Sequence, residues 1–260
     1  MTDSQRITID PIAGALGAEI GGVDLSAPMD DETFREIKRA YHENLVIFFR
    51  DQNLTPRRHL AFARRFGEIH THPFASGLDG YPQILPVVKE SGDATTNFGG
   101  IWHSDLAFQD RPPLGAVLYA HEVPAIGGDT LFANMYRAYD ALSDGLKKTL
   151  DGLVALHSGA RSFGAKDSRE LRRQAKGSRS MKVQVSDEAA TEVAHPAVRT
   201  HPETGRKALY VSAISTRRFK GWSEAESKPL LDYLCAHAVR PEFTCRFRWR
   251  AKSLAFWDNR

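Results

Sequence analysis

Two hydrophobic rhythms run along the chain. From Asp31 to Asn44 apolar side chains recur at helical spacing, which puts Phe34, Ile37, Tyr41 and Leu45 on one face. Thr55-Pro56 supplies the N-cap and first-turn proline of a second helix that stops at Gly67. Residues 134–151 carry Tyr136, Tyr139, Leu142, Leu146 and Leu150 at the same spacing and predict one further helix. Ser223 with Glu226 makes a capping box ahead of PLLDYLCAHA.

Elsewhere the period is two, or the run is short and wholly apolar. LVIFF (45–49), ILPVV (84–88) and AVLYAH (116–121) predict strands. FTCRFRW (243–249) alternates, with Phe243, Cys245, Phe247 and Trp249 facing one way and Thr244, Arg246 and Arg248 the other. Residues 199–211 predict a hairpin with HPETG as its turn. Strands dominate the second half and no regular βαβ order appears, which argues against a doubly wound sheet. An antiparallel barrel or jelly roll with helices outside fits the order better.

Composition adds bounds. With 260 residues, 42% of them hydrophobic, the chain can bury a substantial core. The net charge of +3 has a local source. Seven Lys/Arg between Lys166 and Lys182, set against Asp167 and Glu170, give that segment +5 and leave −2 for the rest. This is a local basic loop, not the broad basic face of a nucleic-acid binder. Cys235 and Cys245 form no metal-knuckle or disulfide pattern, so free thiols and a cytoplasmic location are expected. No apolar run is long enough for a membrane span. GALGAEIGG (14–22) lacks a nucleotide-cradle pattern, and no GxSxG elbow occurs.

The chemistry concentrates at IWHSD (101–105). On a strand, residues two apart share a face, so His103 and Asp105 would project together with Ser104 turned away. An imidazole nitrogen and a carboxylate oxygen can then fill two corners of one metal site, as in the facial triad of non-haem Fe(II) oxygenases. The spacing alone is weak, because H-x-D recurs by chance.

The flanks carry more. Trp102-His103-Ser104-Asp105 is followed by Pro112-Pro113, Gly127-Gly128-Asp129-Thr130 and Ala141-Leu142-Ser143. GAEIGGVDL (17–25), VIFFRDQ (46–52) and RRFGEIHTHP (64–73) precede it; HPAVRTHPETGRKALYV (195–211) and LAFWDNR (254–260) follow. In this order, over nearly the whole chain, the motifs resemble the taurine dioxygenase / 2,4-D dioxygenase (TauD/TfdA) family of Fe(II)- and 2-oxoglutarate-dependent oxygenases. The resemblance implies one domain over 1–260, β-dominated, a double-stranded β-helix (jelly roll) with flanking α-helices. It implies Fe(II), 2-oxoglutarate and O2 as cofactor and cosubstrates, with succinate and CO2 released as a small anionic organic substrate is hydroxylated. A homo-oligomer, dimer or tetramer, is expected, with no nucleic-acid or membrane partner.

Residue roles follow from the resemblance. His103 and Asp105 match two iron ligands. Thr130 matches a contact to a 2-oxoglutarate carboxylate, although a turn threonine after Gly-Gly-Asp is an equal reading of the spacing. His72 matches a contact to the substrate's anionic group, with His70 pointing elsewhere. Phe163 matches an aromatic packed on the substrate, Leu106 falls beside the iron, and Trp257 packs near the site or serves only as core. The family motif continues W-D-N-R-x-x-x-H, and this sequence stops at Arg260. The third ligand and the arginines for the two anions are therefore expected beyond Arg260, and the 260 residues alone are expected not to turn over. Substitution by His195 or His201 is the least favoured alternative.

Gly99, Ala75 and Ser212 stand where the taurine enzymes carry polar or aromatic substrate contacts, which implies a wider pocket. MYRAYDALS, HSGARSFG and GWSEAESKPLLDYL are closer to the aryloxyalkanoate branch. The substrate classes implied are aryloxyalkanoates, alkyl sulfonates and alkyl sulfates. The alternatives are taurine itself, or a non-catalytic jelly roll that only binds. Residues 164–182 coincide with the family's active-site lid, or are a solvated loop.

Overall fold

The strand nearest the C-terminus organises the fold. The computed structural model describes residues 6–90, 98–165 and 183–260. The basic segment 166–182, and with it nearly all of the expected lid, lies outside the described residues. The strands are β1 (Thr8–Pro11), β2 (Ala18–Gly21), β3 (Val46–Phe49), β4 (Gly115–Tyr119), β5 (Thr130–Ala133) and β6 (Val154–His157), then β7 (Val193–Pro196), β8 (Val198–Thr200), β9 (Lys207–Leu209), β10 (Thr216–Phe219), β11 (Thr244–Phe247) and β12 (Leu254–Asp258). The helices are α1 (Asp31–Asn44), α2 (Pro56–Arg64), α3 (Met135–Asp140), α4 (Asp144–Leu150), α5 (Ala160–Phe163) and α6 (Glu224–Ala238).

β12 enters between β3 and β4 and pairs antiparallel with both, in a sheet of order β1-β2-β3-β12-β4. Smaller sheets are β10-β6-β7, β11-β5 and β8-β9. The fold is strand-rich with flanking helices.

The pleat of β12 sorts its side chains into two cores. Leu254 and Phe256 face α1 and α2, where Phe256 stacks on Tyr41 at 4.2 Å. Ala255 and Trp257 face the other way, into a cluster with Phe48, Phe247 and Trp249. A third core joins α3, α4 and α6 to β6, β9 and β10.

At Gly115 β4 crosses so close to β12 that an added Cβ would lie 2.3 Å from the Trp257 carbonyl oxygen and 2.8 Å from the Tyr41 hydroxyl. Gly115→Ala should therefore cost about 1–3 kcal/mol by forcing the strands apart. Urea unfolding measures this, and an unchanged midpoint would contradict the close approach.

Local signals held where they were strong. The Thr55 side chain caps α2 with Pro56 in its first turn, and both halves of the Ser223/Glu226 capping box form. Leu45 takes a left-handed conformation (φ 68°) that ends α1 and turns the chain into β3. In 243–249 Phe243, Cys245, Phe247 and Trp249 are buried and Arg246 and Arg248 are exposed, as the alternation requires.

Three expectations need correction. Residues 134–151 form two helices, because Asn134 caps α3 and the Ser143 hydroxyl then accepts from the Leu146 N–H to open α4. ILPVV forms no strand: Pro86 has no N–H for a ladder, and Val87 and Val88 are 49% and 50% exposed. IWHSD is not in a strand either; it runs irregularly into a turn over 105–108.

No helix among the described residues is long and apolar enough to cross a membrane. Cys235 and Cys245 are both free.

Candidate metal centre

His103 and Asp105 converge although no ladder holds them. His103 Nε2 lies 3.3 Å from Asp105 Oδ1. The Nδ1–H of His103 donates to the Ile101 carbonyl at 2.6 Å, which orients the ring with Nε2 toward the carboxylate; without a metal Nε2 shares a proton with Asp105, and on losing it would offer a lone pair to a metal. Asp105 Oδ2 accepts from Trp257 Nε1 at 3.1 Å and from Asn259 Nδ2 at 3.4 Å. The Asp105 N–H in turn donates to Asn259 Oδ1 at 3.3 Å. His103 Nε2 and Asp105 Oδ1 therefore meet only each other. Two adjacent ligands about 2.1 Å from a six-coordinate metal are separated by about 3 Å, so the pair fits a divalent metal. The two side chains keep 34% and 28% exposure, enough for entry from solvent.

Burial pushes the Asp105 carboxyl up, but the hydrogen bonds from His103, Asn259 and Trp257 outweigh it and hold the group below the usual carboxylate range. The same hydrogen bond to Asp105 raises His103, against the effect of burial. Each partner stabilises the charged form of the other, as metal-binding donors without their metal should. Leu106, the next residue, sits at φ 49°, a conformation costly for a branched side chain and worth keeping only where the turn is needed.

Other expected residues gather from separate elements. His72 Nδ1 accepts the Phe74 N–H at 3.0 Å, so the ring presents an Nε2–H donor. Burial lowers its pKa, and the nearby Asp105 charge offsets this in part. Its ring meets Phe163 at 5.1 Å, and Phe163 packs with Phe74 and Phe108 in an aromatic wall. His70 is exposed. Thr130 is one layer away. Its hydroxyl accepts from Trp249 Nε1 at 2.9 Å, and Phe132 on the same face of β5 contacts the Trp257 ring at 5.6 Å.

His195 Nε2–H donates to the Gln109 carbonyl, in the loop after the pair, at 2.9 Å. His201 Nε2 is 3.1 Å from Asp258. Neither joins the pair, and among the described residues no third His, Cys, Asp or Glu does.

Asn259, and the polar role of Trp257, escaped the sequence reading. The available signal was the strand period: 255, 257 and 259 share one face of β12 and its continuation, opposite Phe256 and Asp258.

A histidine nitrogen and a carboxylate oxygen, each with its second atom tied back, are two of the three donor types that a mononuclear centre of two histidines and one carboxylate requires. The chain belongs to the taurine catabolism dioxygenase TauD, TfdA family, whose sequence profile matches residues 8–260. An alpha-ketoglutarate-dependent sulfate ester dioxygenase of Pseudomonas putida is 37% identical, the match covering 98% of this chain and 82% of that protein. A taurine dioxygenase structure from Burkholderia xenovorans is 34% identical, with a TM-score of 0.77 over 98% of this chain and 82% of that one. The structure of AAD-2 in complex with Mn(II) and N-oxalylglycine is 29% identical, with a TM-score of 0.76 over 98% and 89%. Enzymes of this family depend on Fe(II), 2-oxoglutarate (alpha-ketoglutarate) and O2.

Proposed function

We propose that the protein hydroxylates a small organic anion, a sulfate ester or sulfonate ahead of an aryloxyalkanoate, in a reaction dependent on Fe(II) and 2-oxoglutarate. The observation that carries this reading is the His103–Asp105 pair, whose Nε2 and Oδ1 meet only each other while every other polar atom of the two side chains is engaged. The 37% identity to a sulfate ester dioxygenase favours the sulfate head group. When bound, iron would activate O2, one oxygen atom oxidising 2-oxoglutarate to succinate and CO2 and the other entering the substrate as the hydroxyl. The chain's own residues position. Asp105 and His103 hold the metal, the Thr130 hydroxyl keeps its hydrogen for a 2-oxoglutarate carboxylate, and the His72 Nε2–H is a neutral donor for the substrate's anion. Phe163 and Leu106 line the apolar part.

We further infer a jelly-roll domain over 1–260, a cytosolic home for its two free thiols, and a homo-oligomer.

The test is succinate release by the protein with Fe(II) and 2-oxoglutarate, screened across alkyl sulfates, alkyl sulfonates, taurine and phenoxyalkanoates. An alkyl sulfate R–CH2–OSO3− should yield the aldehyde and sulfate, because hydroxylation at that carbon leaves an adduct that collapses. Absence of substrate-dependent succinate with every class, or succinate formed without iron, would overturn the reading.

A further inference from the structure

A second polar cluster is left unused by the reading above. Tyr210 follows β9 and is 4% exposed, and its hydroxyl has no hydrogen-bond partner. The Arg199 guanidinium lies over its ring at 4.8 Å, and the Nη1 of that arginine is also buried without an acceptor. The Ser212 and Ser215 hydroxyls, on the segment that follows, are buried and unpartnered too. Buried donors are rarely left in this state, since each costs roughly the desolvation of a polar group. Here several occur together, and the charged member is a cation.

The surrounding groups are fixed. His157, His195 and Tyr210 form a triangle of rings with centroids 5.5 Å apart. His195 is tied to the Gln109 carbonyl, and His157 Nδ1 is 3.3 Å from the Thr216 hydroxyl. Thr216 in turn accepts the Ser212 N–H. This frame holds the Tyr210 ring while its hydroxyl stays free. The cluster lies beside the loop that follows the metal pair: His195, whose ring is 5.5 Å from that of Tyr210, holds the Gln109 carbonyl at 2.9 Å.

We propose that Tyr210 and Arg199 receive an oxygen of the substrate's anionic head group, which makes Tyr210 a specificity-determining residue. The cluster offers donors and a positive charge, so its ligand is rich in acceptors: a sulfate, sulfonate or carboxylate oxygen. The assignment rests on the proposed function for the identity of the substrate, but the contact can be measured without turnover. The Ser212 side chain, smaller than the asparagine of the family pattern, leaves room for the head group.

Tyr210→Phe deletes one oxygen and keeps the ring. It should raise KM for the anionic substrate about tenfold, as expected for losing a hydrogen bond to a charged group. KM for 2-oxoglutarate, Fe(II) affinity and Tm should stay within twofold or a degree or two of the wild type. Arg199→Gln should raise the substrate KM at least as much. A parallel titration of decyl sulfate into metal-free protein, followed by tryptophan fluorescence, should show the same tenfold loss in Tyr210→Phe. If the wild type processes no sulfate or sulfonate, the proposed function fails while this titration still reads the contact. Equal decyl sulfate affinity in wild type and Tyr210→Phe, or a rise confined to KM for 2-oxoglutarate, would overturn the inference.

Discussion

Asp105→Ala should abolish Fe(II)-dependent turnover, and Trp257→Phe should reproduce part of that loss without removing a proposed metal ligand. Asp105 Oδ1 is the oxygen offered to the metal, and Oδ2 is held by Trp257 and Asn259. Removing the carboxylate leaves His103 alone on this side of the site. Removing only the indole N–H frees the carboxylate to rotate or to bind through both oxygens. Partners of metal ligands typically change affinity or activity by about 10–100-fold, so Trp257→Phe should fall in that range and Asp105→Ala well beyond it. Phenylalanine keeps the packing against Phe132. Metal titration with the ligand-field spectrum of Co(II) separates the two effects, because a merely structural role would lower Tm without altering the spectrum. Full activity in Asp105→Ala would remove the metal assignment.

The second large effect concerns the opposite face of β12. Asp258 is buried with His201 and Arg260: His201 Nε2 is 3.1 Å from Oδ2, and the Arg260 guanidinium reaches Oδ1 and Oδ2 at 3.0 and 2.7 Å. His201 Nδ1 accepts the Glu203 and Thr204 N–H groups, so Nε2 carries the proton that goes to Asp258. Arg260 continues to Glu203, which also takes Lys38. Asp258→Asn leaves the half-buried guanidinium without its main counter-charge and should cost about 3–5 kcal/mol. It would also loosen the strand that carries Trp257 and Asn259.

The network fixes the acid response as well. Burial pushes the Asp258 carboxyl up, but His201 and Arg260 bring it down to about 2. Glu203 is likewise held at about 2, burial being outweighed by Lys38 and Arg260. Between these values and the ordinary carboxylate range the unfolded chain binds more protons than the folded one, so stability rises with pH there. It is fully present above about pH 5 and lost as pH falls toward 2, with about 2 kcal/mol from Asp258. Urea unfolding between pH 7 and 3 measures the slope. An equal slope in Asp258→Asn would show that the acid loss arises elsewhere.

How far the sequence reached is clearest on β12. LAFWD announces a strand, and its period already separates Phe256 and Asp258 from Trp257 and Asn259. The sequence could not say which face met the metal pair. That depends on β12 entering between β3 and β4, with Trp257 opposite both Val46 and Ala116. Such a register is set by pairing across roughly 140–210 residues of chain, and no local rule encodes it.

IWHSD shows the same division. Its composition and flanks named a metal pair, and the i, i+2 spacing suggested a strand to align it. The convergence is real, but it comes from the Ile101 carbonyl holding His103 and from Trp257 and Asn259 holding Asp105.

The sequence by itself determined what neighbouring residues dictate: helix starts at Thr55 and Ser223, the alternation of 243–249, the identity of His103 and Asp105, and the family. Caps, turns and periods are local, and their energies are settled within one or two turns of chain. Tertiary structure decided which oxygen of Asp105 meets which nitrogen of His103, and that Arg199 lies over the buried Tyr210 ring beside His195, which holds the loop after the pair. Each of these depends on donors and acceptors brought together from distant strands, because a buried polar group is satisfied by whatever the fold places next to it.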